Sequence, residues 1–291
     1  MASLMTSDER EDFPEGEAGL NTMIGKMVGF PKHIFCQGCG YGSIAANLVR
    51  IYVENKLEQE KYPFFVGVGC YSAIPTVLPG HSLMVLHGRG PAVATGAKLM
   101  RPDCKPVCIQ GDGDALSIGT NHFIHAARRN VDMLVILLHN KIYGMTGGQT
   151  APTTPIDSKT STSPYGVVTN TIDAVELAKV CGATYVARWT WAQPRKYMKS
   201  ILENLKEHKG FGLVEIVSSC VTYFGRRNDM AESVDLFNWI RSNTISIKDA
   251  EGMSKEELKD KIVTGVFTWD KNAPDYNAQY DKVLERAGWK K

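Results

Sequence analysis

"KPVCIQGDGDA", Lys105 to Ala115, is an apolar run that stops abruptly at glycine. A short, uninterrupted apolar run bounded by glycine reads as a strand buried on both faces. Such a strand, breaking at Gly111 and opening into a helix, forms a phosphate cradle. Backbone N–H groups approach the anion at the glycines, and the helix N-terminus favours its charge. Neither the G-x-G-x-x-G fingerprint nor the Gly-Lys-Ser/Thr ending of a P-loop is present. Asp112 would repel phosphate oxygens unless a cation lay between them, and Mg²⁺ takes one or two protein oxygens beside those of phosphate. The plainer reading of the same residues is a turn in which Asp112 caps a helix.

Outward from this stretch, strands and helices alternate. "PFFVGVGC", "VDMLVILLHN", "TYVARWT" and "FGLVEIVSSC" read as strands, the first ending at Cys70, the second breaking at Asn140 and the last ending at Cys220. "GSIAANLVRIYVENKLEQ" is predicted to be a helix with Ile44, Leu48, Ile51 and Tyr52 on one face and Ser43 as N-cap. "LMVLHGRGPAVATGAKLMRPD" gives a short strand, a glycine turn and a helix stopped before Pro102. "GTNHFIHAARRN", "DAVELAKVCGA" and "PRKYMKSILENLKEHKG" supply three more helices. The alternation predicts an α/β fold, a doubly wound, mainly parallel sheet with helices on both faces. Ligands of such sheets sit at the carboxyl ends of the strands. Cys70, Asp112, Asn140 and Cys220 all fall at strand ends, and Cys36 and Cys39 precede a helix that starts from the same edge. Residues 1–30 read as an arm and 31–228 as the α/β domain. Residues 229–291 read as a tail packing on the domain or on a partner, with a local helix at "SKEELKDKI".

A chain of 291 residues, 43% hydrophobic, can bury a large core. Its 33 basic and 31 acidic residues leave a formal charge of +2, which is no signature of nucleic-acid or polybasic membrane binding. No apolar run approaches the ~18 residues of a membrane span. The acidic start "MASLMTSDEREDFPEGEAGLN" lacks the charged-then-apolar pattern of a signal peptide. The expectation is the cytoplasm, where cysteines serve metals or redox chemistry more often than structural disulfides.

"FCQGCGYGS", Phe35 to Ser43, sets two of the seven cysteines in C-x-x-C spacing. A zinc ion, a cycling disulfide and an iron–sulfur cluster are all candidates. A cubane [4Fe–4S] cluster takes four thiolates, and Cys36, Cys39, Cys70 and Cys220 are the four placed at the rim. Structural zinc usually takes two paired C-x-x-C knuckles, and one pair is present. A thioredoxin-type dithiol leaves Cys70 and Cys220 unexplained. Cys104, Cys108 and Cys181 lie in or beside apolar segments and read as small buried hydrophobes.

Asn140 stands 28 residues beyond Asp112, at the end of the next strand. The pairing resembles the thiamine diphosphate motif, GDG followed some thirty residues later by asparagine. The resemblance implies Mg²⁺ held by Asp112, Asn140 and the backbone carbonyl of Ile142, with His139 where the motif usually has a first asparagine. "CQGCG", "VGCYS", "LHGRGPAVATGAKL", "GDGDALSIGTNHFIHAARRN" and "NKIYGMTGGQTAPTTP" together resemble the β subunit of 2-oxoacid:ferredoxin oxidoreductases, from about Phe35 to Cys220. The family implies thiamine diphosphate, Mg²⁺ and one [4Fe–4S] cluster, the last on Cys36, Cys39, Cys70 and Cys220. It further implies that Gly111, Gly113, Asp114 and Gly144 line the diphosphate and that Met145 presses against the thiazolium. His87 and Arg89 of "LHGRG" are candidates to bond substrate or cofactor, or are structural.

The reaction so implied joins a 2-oxoacid and coenzyme A, releases carbon dioxide and reduces ferredoxin. 2-Oxoglutarate is favoured over pyruvate, because the resemblance is closest to the compact two-subunit members acting on 2-oxoglutarate. Locally, Arg226 or Arg227 of "FGRRN" is a candidate for bidentate pairing to a second carboxylate, or is solvated or contacts a partner. In similar enzymes a glutamate from a second α/β domain activates the aminopyrimidine, and this chain has length for one such domain. A larger α subunit is therefore expected to supply it, in an (αβ)₂ heterotetramer. A thiamine diphosphate lyase without redox chemistry leaves the cysteines unused, and a zinc-stabilised scaffold leaves "GDGDA…HN" without a purpose.

Overall fold

A computed structural model of the chain describes residues 35–289; the expected arm, 1–30, lies outside them. Ten strands are described: β1 Phe64–Val66, β2 Ser82–Met84, β3 Val107–Gly111, β4 Met133–His139, β5 Ile142–Tyr143, β6 Gln149–Thr150, β7 Tyr185–Thr190, β8 Phe211–Val217, β9 Thr244–Ser246 and β10 Ile262–Trp269. Eight of them form one sheet in the order β2-β1-β3-β4-β8-β7-β10-β9. The first six neighbours run parallel, and β10 closes the far side antiparallel to β7, with Trp269 opposite Tyr185.

The central strands are mostly apolar because both sheet faces are covered; Arg188 of β7 and Glu215 of β8 are charged exceptions. In β4, Ile136 and Leu138 enter one core with Ile44, Leu48 and Ile51 of helix α1 (Gly40–Glu54). Val135 and Leu137 enter the opposite core, with Phe123 and Ala127 from the helix Thr120–Arg128 and Ala178 from the helix Ala174–Val180. Each fully buried side chain of this kind contributes about 1.5–3 kcal/mol. Cys104 and Cys108 are buried in this apolar interior, as small hydrophobes.

Two sequence expectations fail. Helix α1 starts at Gly40 with Cys39 as its N-cap, so Ser43 lies inside the helix, exposed, and caps nothing. "SKEELKDKI" forms turns rather than a helix. Ser254 and Glu257 do make reciprocal capping bonds, Ser254 N–H to Glu257 Oε2 at 2.7 Å and Glu257 N–H to Ser254 Oγ at 3.3 Å. The segment is exposed almost throughout, however, and a nucleated turn without an apolar face to bury does not propagate. Among the described residues no helix is long and apolar enough to cross a membrane.

Candidate active site

The carboxyl ends of β1, β3, β4 and β8 meet on one rim. Asp112 follows β3 directly and is buried. Its Oδ1 accepts from Gly113 N–H at 3.0 Å. Its Oδ2 accepts from Lys141 N–H at 2.8 Å and from the Thr153 hydroxyl at 2.5 Å. Asn140 follows β4, and its Oδ1 accepts from Ile142 N–H at 3.2 Å. Gly111, Asp112, Gly113, Asp114, Asn140, Ile142, Gly144, Met145 and His87 all line one cleft, together with Cys70. Met145 is half exposed at its mouth.

A carboxylate, an amide oxygen and a backbone carbonyl are hard oxygen donors of the kind Mg²⁺ takes. Burial pushes the Asp112 carboxyl above its ordinary range, against the opposing pull of His139, Thr153 and two backbone N–H groups. A cation in the cleft would supply the missing counter-charge, so these residues fit the group the motif implies.

Asp114 is placed differently from its neighbours. Its Oδ1 accepts from Gly88 N–H at 2.6 Å and bonds His87 Nδ1, and its Oδ2 accepts from Gln110 Nε2 at 2.8 Å. The carboxylate is thus committed to holding His87, and only the Asp114 backbone is left to face a diphosphate. With Nδ1 engaged, Nε2 is the His87 nitrogen left for chemistry in the cleft. Arg89 bonds the carbonyls of His87 and Ile118, which makes it a brace for the same turn.

The four rim cysteines are gathered. Burial pushes the Cys39 thiol up to about 12; the Tyr41 backbone N–H opposes this, and Cys220, Cys70 and Cys36 add to it. Cys70 is pushed to about 11 by burial, then by Cys220 and Cys36. Cys220 is raised by burial, with Cys36 contributing. Gly38, between the first two cysteines, is left-handed at φ +79°, and a Cβ there would lie 2.2 Å from Ser233 Cβ. Glycine is therefore required for the loop to turn against the helix Ser233–Asn243. Among the described residues no three His, Cys, Asp or Glu side chains converge tightly enough to hold one metal ion.

Gly144 lies between the rim cysteines and Asn140. A Cβ built on it would lie 3.2 Å from Cys70 Sγ, 3.8 Å from Cys220 Sγ and 3.9 Å from Asn140 Nδ2. Arg226 and Arg227 are exposed and do not line the cleft. Sequence reasoning missed three residues. Tyr143 donates its hydroxyl to Gly113 O at 3.1 Å, and Tyr71 buries its hydroxyl in the cleft wall beside Gly111 and Asp114. Thr153 lies in a polar loop with no local signal of its role.

Behind the rim, Glu215 of β8 is wholly buried. It bonds His139 Nδ1 at 2.6 Å and Arg188 Nε at 2.6 Å, and Arg188 reaches on to Asp173 at 2.7 Å. His139, in the place of the motif's first asparagine, is thereby anchored beside Asn140.

Residues 67–216 match the family model described as thiamine pyrophosphate enzyme, C-terminal TPP binding domain. The 2-oxoglutarate synthase subunit KorB of Methanocaldococcus jannaschii is 44% identical over 254 residues, covering 87% of this chain and 93% of its own length. The 2-oxoglutarate oxidoreductase subunit KorB of Mycobacterium tuberculosis is 39% identical over 234 residues, 75% of this chain and 62% of that one. A solved 2-oxoglutarate:ferredoxin oxidoreductase from Magnetococcus marinus, with 2-oxoglutarate, coenzyme A and succinyl-CoA bound, superposes with a TM-score of 0.76 at 32% identity, covering 88% of this chain and 87% of that chain. With the GDG…N rim in place and relatives of this likeness spanning most of its length, the chain belongs to the β subunits of the 2-oxoacid:ferredoxin oxidoreductases, a family of thiamine pyrophosphate-dependent oxidoreductases.

Proposed function

We propose that this chain is the cofactor-binding subunit of a coenzyme A-dependent 2-oxoglutarate:ferredoxin oxidoreductase. Asp112, Asn140 and the Ile142 carbonyl would hold Mg²⁺, and Cys36, Cys39, Cys70 and Cys220 would hold one [4Fe–4S] cluster. The observation that carries the reading is Gly144, which stands beside both sets of residues: a Cβ built on it would lie 3.2 Å from Cys70 Sγ, tighter than ordinary contact, and 3.8 Å and 3.9 Å from Cys220 Sγ and Asn140 Nδ2. Such proximity has a use when electrons leave one centre for the other, and none in a lyase or a scaffold.

When bound, thiamine diphosphate supplies the nucleophilic carbon and the electron sink for decarboxylation. The residues of this chain do the rest. Asp112 and Asn140 fix the metal and with it the diphosphate, while Gly111 and Gly113 let the backbone come close. Met145 stands at the mouth, where it would support the reactive ring of the bound cofactor. His87, oriented by Asp114, presents Nε2 to the cleft as a proton donor or acceptor. A larger α subunit supplies the carboxylate for the aminopyrimidine, two such pairs associate, and ferredoxin takes the electrons in the cytoplasm, in a reaction that runs in either direction. Residues 31–228 carry the catalytic machinery, and 229–291 adds β9 and β10 to the same sheet.

The test is anaerobic purification of the chain coexpressed with its larger subunit. A brown protein whose visible band bleaches on addition of 2-oxoglutarate and coenzyme A is expected, with a higher kcat/KM for 2-oxoglutarate than for pyruvate. A colourless, zinc-containing complex would overturn the reading; a preference for pyruvate would overturn only the substrate.

A further inference from the structure

The Mg²⁺ corner is built from two pieces of chain that nothing covalent joins locally: Asp112 after β3, and Asn140 to Ile142 after β4. Between the two proposed ligands of the second piece sits Lys141, a non-glycine residue at φ +66°. That left-handed conformation is intrinsically unfavourable and persists only where the surroundings hold it. The loop "TAPTTP", Thr150 to Pro155, folds back over this junction. The Thr153 hydroxyl donates to Asp112 Oδ2, 41 residues away in sequence. The Thr154 hydroxyl donates to Lys141 O at 2.6 Å and accepts from Ala151 N–H at 2.8 Å. Lys141 N–H donates to the same Asp112 oxygen. Both threonine side chains are buried, at 3% and 1% exposure.

We propose that Thr153 and Thr154 are positioning residues that lock the two halves of the Mg²⁺ corner together, a role that rests on the cofactor reading above. Thr153 fixes the rotation of Asp112: with Oδ2 held by two donors, Oδ1 is left with a single backbone N–H. Thr154 grips the carbonyl of the strained residue and so sets the direction in which the Ile142 carbonyl and the Asn140 side chain leave the backbone. The residue type suits the task. A β-branched side chain has few χ1 states, and Pro152 and Pro155 fix φ on either side of the pair. An ordinary loop-capping threonine would bond within its own turn. Thr154 does this as well, but the Thr153 hydroxyl is spent on the carboxylate.

The test uses the full chain in complex with its larger subunit, iron-loaded, and stripped of Mg²⁺ and thiamine diphosphate. Mg²⁺ is titrated at fixed thiamine diphosphate, with cofactor binding followed by calorimetry. Thr153→Val keeps the shape and loses the hydroxyl; its Mg²⁺ midpoint is expected to rise about tenfold or more, as for loss of a hydrogen bond to a charged group. Thr153→Ser is expected to restore the wild-type midpoint, and Thr154→Val to raise it independently. Iron content and far-ultraviolet circular dichroism should stay unchanged throughout. An unaltered midpoint in Thr153→Val, or a serine variant as impaired as the valine one, overturns the proposal. A wild-type complex that binds no thiamine diphosphate at any Mg²⁺ concentration overturns the cofactor reading instead.

Discussion

Replacing Glu215 by glutamine should be among the most destabilising single-atom changes available in this chain. The carboxylate is wholly buried in a central strand and bonds two basic side chains at 2.6 Å each. Burial alone would raise its pKa. Arg188 and then His139 more than offset that, and the carboxyl is held at about 2 against an ordinary 4.5. A depression of that size corresponds to roughly 3 kcal/mol of folding stability. Because the folded-state pKa is the lower one, this stability is complete above about pH 4.5 and is lost as pH falls towards 2. Glu215→Gln also leaves the Arg188 guanidinium buried, with only the half-exposed Asp173 carboxylate as counter-charge. Breaking a buried pair from one side costs about 3–5 kcal/mol, whereas replacing both members is often near neutral. Urea unfolding of the chain, followed by circular dichroism from pH 7 to 3, measures both effects. The variant should lose at least 3 kcal/mol at pH 7, and its difference from wild type should shrink below pH 4.5. Adding Arg188→Met should recover most of the loss. A deficit under about 1 kcal/mol at pH 7, or one independent of pH, would refute the argument.

Serine at Cys36, Cys39, Cys70 or Cys220 should lower bound iron and abolish electron transfer to ferredoxin, whereas serine at Cys104 or Cys108 should cost stability alone; iron assay beside thermal unfolding separates the two. Asp112→Ala should weaken retention of thiamine diphosphate by several kcal/mol, since it removes the charged oxygen of a buried metal corner, and retention through gel filtration checks it. The isolated chain should show no oxoacid-dependent viologen reduction until the larger subunit is added, and full activity without it would contradict the proposed division of labour.

The central parallel strands were legible because burial on both faces keeps their runs mostly apolar, as in Met133–His139, whereas the edge strand Ser82–Met84 is exposed and was legible only as a short run before a glycine turn. The rim followed from them: once strand ends are known, Cys70, Asp112, Asn140 and Cys220 fall together without any distance being measured. What was not legible depends on long-range contact. β10, "IVTGVFTW", is only partly buried and carries a glycine in mid-strand; its place beside β7 is decided by Tyr185 and Trp269 meeting edge to face. Cys39 as helix cap was hidden because its side chain makes no capping bond. Asp114 read as one more residue of a phosphate loop, and only the fold brings Gly88 and Gln110 to its carboxylate. Thr153 is indistinguishable in sequence from Thr154 beside it, although the two hydroxyls serve different halves of one corner.

The position of β8 has a consequence for how the protein is made. It lies between β4 and β7, both of which precede it in the chain, and the sheet neighbours of β7 are β8 and β10. During vectorial synthesis, therefore, β7 leaves the ribosome with no strand to pair with, and the centre of the sheet stays open until Val217 has emerged. Cys220 follows three residues later. The thiols at 36, 39 and 70 thus wait on a half-built surface for the insertion that brings the fourth. Domains fold as units during synthesis from the N-terminus onward. Here β8 bridges β4 and β7, and the last thiol arrives almost together with it, so joining the two halves of the parallel sheet and completing the four-thiol rim become one step in biogenesis, with β10 and β9 added at the edge afterwards.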